Sequence, residues 1–166
     1  MVRGNKQFRH NLQKQTKATK TQFSFFVIFP FNSVHPLFKK TDQLSHVAIG
    51  AAIEVHRLKG PGLLESIYER CMMRELELHN LVVVNQRLVR IEYKGLVFEE
   101  PLRFDVLVEN CLLLELKCVQ EILPVHKAQL LSYMKLLDIP VGLIINFHEM
   151  KLADGIARMI LPGANV

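Results

Sequence analysis

An apolar segment of the sequence, CLLLELKC at residues 111–118, is interrupted by two charged residues, Glu115 and Lys117. Side chains two residues apart in a strand project from the same face, so these two are expected to lie side by side. Asp105 is another charge inside an apolar run, and a tight turn between the two strands would bring it beside Glu115. Two carboxylates at close range repel each other, so a site that holds both needs a cation.

That cation can be Lys117 itself or a divalent metal ion. Carboxylate oxygens suit Mg²⁺ or Mn²⁺, which keep several waters and use one or two carboxylates. Such an ion lowers the pKa of a bound water and stabilises charge in an in-line displacement at phosphorus. These residue types therefore favour phosphodiester chemistry. The alternative is an edge strand, in which solvated charges at Glu115 and Lys117 protect against aggregation.

A predicted helix after Pro124 carries a second group of polar residues. Gln129 and Tyr133 are four residues apart, and His126 precedes Gln129 by three, so all three share one side of the helix. This side is expected either to reach a nucleic-acid phosphate or the attacking water, or to be an ordinary polar helix surface. His126 is the weaker candidate of the three.

A third pattern, Gly62-x-x-Glu65-x-x-Tyr68, marks the start of an earlier helix. A glutamate in the first turn is favoured by the helix dipole, and on its own the pattern indicates no more than a helix start.

The elements that must position these residues follow a regular order. Hydrophobic periodicity and turn residues predict helices over 41–58 and 63–79, strands over 81–93, 96–108 and 111–118, a helix over 124–137 and strands over 141–147 and 156–161. Thr41 or Asp42 is expected to cap the first helix. In the helix over 124–137 the expected core positions are Val125, Ala128, Leu131, Met134 and Leu137. The last strand is the least regular of the series.

The net charge of +5 is distributed unevenly along the 166 residues. Residues 1–40 carry +8 and no acidic residue, whereas residues 41–166 carry −3. The first segment is predicted to be a basic, disordered extension, and residues 41–166 to form one domain. The apolar run at residues 23–31 of the extension is too short to span a membrane.

Three cysteines without paired spacing, Cys71, Cys111 and Cys118, are expected to be free thiols in a reducing compartment. A cytoplasmic location follows as the expectation.

Taken together, these motifs resemble the GxxExxY protein family, a branch of the PD-(D/E)XK nuclease-like superfamily. The resemblance runs from about Thr41 to Leu161, with the naming motif at Gly62, Glu65 and Tyr68. The segments RFDVLVEN, LLLELKCV, HKAQLLSYMKLL and GLIINF are similar to the later blocks of the family, in the same order. The resemblance implies an α/β fold with an αβββαβ core, in which helices flank a mixed central sheet.

The resemblance also implies a role for each candidate residue. Asp105 and Glu115 would hold Mg²⁺ or Mn²⁺, Glu65 would add to the metal site, and Lys117 would be the catalytic lysine. Gln129 and Tyr133 resemble the Q-x-x-x-Y motif of RecB-like nucleases, which binds substrate.

The expected function is a metal-dependent nuclease that hydrolyses phosphodiester bonds of DNA. A nucleic acid is the expected partner, a membrane is not, and a homo-oligomer is left open. The alternative is a catalytically silent module of the same fold that binds nucleic acid or a protein partner. An acidic body without a stripe of Lys and Arg favours that alternative, because DNA binding relies on neutralising phosphates.

Overall fold

A computed structural model describes residues 34–165, which form a mixed five-stranded sheet with helices on both faces. The helices are α1 (Phe38–Lys59), α2 (Glu65–Leu78) and α3 (Pro124–Leu137). The strands are β1 (Val83–Tyr93), β2 (Leu96–Val108), β3 (Leu112–Lys117), β4 (Val141–Asn146) and β5 (Ile156–Ile160), and a 3-10 turn covers Leu152–Gly155. The predicted order and the predicted α/β fold class are confirmed. Residues 1–33, most of the predicted extension, lie outside the described residues.

The strands lie in the sheet in their sequence order, β1-β2-β3-β4-β5. Three neighbouring pairs are antiparallel, and β3 and β4 are parallel. A parallel pair needs a crossover connection, and α3 supplies it. The strand order makes β3 and β4 inner strands, and their apolar character reflects burial on both faces.

Alternate side chains of β3 pack into two separate clusters. Leu112, Leu114 and Leu116 pack with α1 and α2 on one face. Leu113 packs with α3 on the other face. The sheet is thus the middle layer of three, and the outer layers are α1 with α2 and α3 alone.

The core face of α3 differs from the prediction. Leu130 and Met134 are buried under this helix, whereas Val125 is 63% exposed and Ala128 is exposed as well. The prediction was therefore right for Met134 and wrong for Val125 and Ala128, because this helix is apolar on more than one side and its periodicity does not select a face. Tyr133 instead packs, half-buried, against the α3-side cluster.

The first helix begins earlier than the sequence predicted. It starts at Phe38, and neither Thr41 nor Asp42 caps it. Thr41 is buried within the helix, and its hydroxyl donates to the carbonyls of Leu37 and Cys111. The hydroxyl therefore ties α1 to the start of β3.

Strand β2 contains a bulge close to its C-terminal end, at residues 104–106. Val84 pairs with Leu107 and Gln86 pairs with Arg103, so that Asn85 alone faces the three residues 104–106 of β2. A bulge bends a strand and changes the direction in which its side chains project. Phe104 accordingly packs in the α3-side cluster although Val106 packs in the opposite one.

None of the helices within residues 34–165 combines the length and the apolar character needed to cross a bilayer.

A substitution at Gly142 of β4 tests the packing of α3 on the sheet. A Cβ atom at this position would lie 2.8 Å from the Met134 sulfur and 3.0 Å from a Leu130 methyl group. We expect Gly142→Val to lower the free energy of unfolding by about 1–3 kcal/mol, the usual effect of overpacking, in urea denaturation. Gly50→Ala on α1 is the control, because a Cβ there meets nothing within 4 Å. It should stabilise the protein by about 0.5–1 kcal/mol. Equal effects of the two variants would contradict this description of the α3 contact.

Candidate active site

Glu115 and Lys117 form a buried ion pair at the end of β3. The Lys117 Nζ donates to Glu115 Oε1 at 2.6 Å, and Glu115 is only 2% exposed. The edge-strand alternative is therefore wrong, since β3 lies between β2 and β4. Both side chains follow the alternation of Leu113 and project towards the α3 face of the sheet.

Asp105 lies in the bulge of β2, and its carboxylate replaces a backbone partner. The paired positions of β2 and β3 end at Val106 and Leu114. At the next position the Leu116 N–H donates to Asp105 Oδ2 at 2.6 Å. The hairpin turn thus brings Asp105 next to the strand that carries Glu115, as the sequence predicted.

Glu65 reaches the same region from the opposite face of the sheet. It is the first residue of α2, and the preceding turn contains Gly60 and Gly62 at φ values of 68° and 93°, which favour glycine. The backbone of Cys118 and the charge of Lys117 both act on its carboxylate, in the direction that lowers its pKa. The helix start therefore places a third carboxylate at the end of β3.

Burial and negative charge together determine the electrostatics of the site. Burial, with a smaller contribution from the charge of Glu115, raises the pKa of Asp105 to about 6, although the hydrogen bond from Leu116 opposes the shift. Burial and the neighbouring Asp105 also raise the pKa of Glu65, although Lys117 opposes the shift. Burial disfavours a charged Lys117, but the hydrogen bond and charge of Glu115 outweigh it and raise the pKa of this lysine. Lys117 is consequently a charged ammonium group at neutral pH.

Two further polar residues, which the sequence analysis did not single out, adjoin the site. The charge of Glu69 acts on both Asp105 and Glu65. Glu69 accepts a hydrogen bond from the side chain of Asn85 at 3.0 Å. Asn85 is the β1 residue opposite the bulge in β2. The spacing of Glu65 and Glu69, four residues on one helix, was a signal in the sequence that they share a face.

The donor set fits a hard divalent cation. The charges of Asp105 and Glu69 act on Glu65, and those of Glu115 and Glu69 act on Asp105. Within the described residues, Lys117 is the one cation that acts on Glu65 and Asp105. Within residues 34–165 no three His, Cys, Asp or Glu side chains are already arranged around a common point. Magnesium sites need no such cage, because one or two carboxylates with waters and substrate oxygens suffice.

The predicted residues of α3 do not contact the carboxylates. Gln129 is exposed, and in the described part of the chain no hydrogen bond joins Gln129 or Tyr133 to Asp105, Glu115 or Glu65. They lie on the helix that covers the face to which Glu115 projects. His126 has a local role, because its Nδ1 accepts a hydrogen bond from the Leu123 N–H at the start of α3.

The raised pKa of Asp105 predicts how stability depends on pH without metal. Between its ordinary value of 3.8 and its native value of about 6, the folded state holds the proton more tightly. Stability is therefore lost as pH rises through this window. We expect Asp105→Asn, measured by urea denaturation in EDTA, to be more stable than the parent by about 1–3 kcal/mol near pH ~8, and equal to it near pH ~4.

The control for this measurement is Asp154→Asn, the same change at an exposed position of the 3-10 turn. It should alter stability by less than about 0.5 kcal/mol at either pH. An Asp105→Asn variant that is less stable than the parent near pH ~8 would contradict the expectation that the folded protein disfavours the ionised form of Asp105.

A family model relates this chain to known proteins. No curated protein matches the chain. Among solved structures, the chain is similar to the one described as "Crystal structure of SSO0001", with 18% sequence identity, a TM-score of 0.44, and coverage of 92% of this chain and 74% of that one. That likeness carries no argument about fold or function. The family model of the PD-(D/E)XK nuclease superfamily matches residues 42–159, which include all the candidate site residues. The chain belongs to the PD-(D/E)XK nuclease superfamily.

Proposed function

We propose that the protein is a Mg²⁺- or Mn²⁺-dependent nuclease that hydrolyses phosphodiester bonds of DNA, and that it belongs to the GxxExxY branch of its superfamily. The observation that carries the proposal is the buried Glu115–Lys117 pair with Asp105 on the adjacent strand. Burying a charged pair is costly, and the like-charged Asp105 beside it adds to that cost. A purely structural role does not explain three such groups in one place, whereas a metal-assisted hydrolysis needs them.

Asp105 and Glu115 would hold the metal ion, and Glu65 would assist from the start of α2. When bound, the ion would supply Lewis-acid chemistry by lowering the pKa of a water and by withdrawing charge from the phosphate. Lys117 would act through its charge, because its raised pKa makes it a donor rather than a proton acceptor. Its Nζ would orient the attacking water or neutralise a phosphoryl oxygen.

Gln129 and Tyr133 would contact the nucleic acid beside the carboxylates. Their place on α3, over the face to which Glu115 projects, supports this assignment. Among residues 34–165 neither side chain has a hydrogen-bond partner, so their polar groups are available to a substrate. A cytoplasmic location is part of the same proposal, supported by the free thiols of Cys71, Cys111 and Cys118.

A second candidate function is binding without catalysis, and the β1–β2 hairpin supports it. Tyr93 and Leu96 pair across the strands near its tip, and Phe98 lies on the same face. All three are exposed. An exposed apolar face on a protruding hairpin is typical of a contact with another macromolecule or with a second copy of the chain.

Removing the charged groups of the site tests the nuclease proposal. We expect Asp105→Ala and Lys117→Ala to reduce cleavage by at least about 10²–10³-fold, the usual effect of losing one group that stabilises the transition state. The assay uses single-stranded, double-stranded and branched DNA with Mg²⁺ or Mn²⁺, and circular dichroism checks the fold. Glu99→Gln, an exposed change on β2, is the control and should retain full activity. Undiminished cleavage by Asp105→Ala would refute the assignment of this residue.

Calorimetric titration with Mn²⁺ separates the two candidate functions. We expect the parent protein to bind the ion, and Glu115→Gln to lose most of that binding because a neutral amide is a poor ligand for a hard cation. Glu99→Gln should bind as the parent does. A parent protein that binds no Mn²⁺ would favour the silent module instead.

A further inference from the structure

Two buried polar residues near the site have no role in the chemistry proposed above. Tyr68 is fully buried in α2, and Asn146 is buried at the end of β4. Neither side chain makes a hydrogen bond to a site carboxylate within the described residues. Buried polar groups are retained where their hydrogen bonds matter, so the partners of these two residues are informative.

Tyr68 closes the turn that precedes Glu65. Its hydroxyl donates to the Gly60 carbonyl at 2.6 Å and accepts from the Leu63 N–H at 3.2 Å. The two contacts bridge the turn of left-handed glycines between α1 and α2. A single hydroxyl thereby fixes the point at which α2 begins, and Glu65 is the first residue of that helix.

Asn146 holds the chain immediately after Lys117. Its side-chain amide pairs with both backbone groups of Val119, accepting from the N–H at 3.1 Å and donating to the carbonyl at 2.7 Å. The backbone pairing of β3 and β4 ends at Lys117 and Asn146 itself. The Asn146 side chain therefore continues the pairing beyond the ends of β3 and β4. It also holds Cys118 in place, because Cys118 lies between Lys117 and Val119.

Phe147 connects these two arrangements. Its N–H donates to the Lys117 carbonyl at 2.7 Å. Its ring stacks on the Tyr68 ring with centroids 4.3 Å apart and an interplanar angle of 12°. The turn before Glu65 and the end of β3 are thus joined through one buried aromatic pair.

We propose that Tyr68 and Asn146, linked through Phe147, are positioning residues that hold the start of α2, and with it the Glu65 carboxylate, beside the end of β3. Glu65 comes from a turn fixed by Tyr68, and the segment after Lys117 is fixed by Asn146. Neither the Tyr68 hydroxyl nor the Asn146 side-chain amide makes a hydrogen bond to Glu65 within the described residues. The role in metal binding rests on the proposed function, whereas the geometric part does not.

Amide exchange at Cys118 tests the geometric part directly, because Tyr68 does not contact this amide. We expect Tyr68→Phe, which keeps the ring stack, to speed hydrogen exchange of the Cys118 N–H about tenfold, as expected for the loss of one buried hydrogen bond in a local opening equilibrium. Asn146→Ala should have the same effect at Cys118 and Val119. NMR measurements on the metal-free protein give both values.

Thr41→Val is the matched control. It removes a buried hydroxyl with two carbonyl partners, as Tyr68→Phe removes one with two backbone partners, but at the far end of β3. It should lower the melting temperature to a similar extent and leave exchange at Cys118 unchanged. Unchanged exchange at Cys118 in Tyr68→Phe, or equal acceleration in Thr41→Val, would overturn the proposal.

A double-mutant cycle tests whether Tyr68 acts through Glu65. We expect Tyr68→Phe to weaken Mn²⁺ binding about tenfold in the parent and to have no further effect in a Glu65→Ala background, as expected for two residues that act as one unit. Additive losses would overturn the positioning role. If the parent protein neither binds Mn²⁺ nor cleaves DNA, the proposed function fails, and exchange at Cys118 still decides the geometric part.

Discussion

The arrangement of this domain depends on a charged pair buried in an inner strand. Glu115 and Lys117 lie where both faces of the sheet are covered, and the low polarity of that environment makes any unpaired charge expensive. The pair is tolerated because each side chain satisfies the other. The Lys117 side chain is 13% exposed and that of Glu115 is 3% exposed, so the pair becomes more accessible towards the end of β3.

The excess of negative charge at the site contributes to the acidity of residues 41–166. The basic residues responsible for the net charge of +5 lie mostly in the first 40 residues, whereas the remainder carries −3. In the site itself, carboxylates outnumber the lysine, and the pKa values of Asp105 and Glu65 are raised chiefly by burial and further by the neighbouring negative charges. A bound divalent ion would reverse the local sign at the place where a phosphate must approach.

The sequence predicted the elements and the central charged residues because both leave local signals. Helical and strand periods differ, and a charge such as Glu115 inside an apolar run is conspicuous without knowledge of the fold. The core face of α3 was predicted correctly at Met134 but not at Val125, because Val125 and Leu130 are equally apolar and only tertiary packing chooses between them. Asn146 carried the same signal as Glu115, a polar residue in a buried strand, but its partner Val119 is defined by a strand pairing that the sequence does not display. The roles of Gln129 and Tyr133 stay predictions, because both depend on a substrate.

The bulge in β2 ties the placement of Asp105 to the packing of the core. Regular pairing resumes on both sides of residues 104–106, and the strands flanking them are held by their own ladders. Two of the three residues in the bulge, Phe104 and Val106, are core side chains on opposite faces of the sheet. Losing two residues from this segment would restore an uninterrupted ladder, but it would also remove at least one of these core side chains. The irregularity that directs Asp105 at β3 therefore cannot be lost in evolution without a loss of packing.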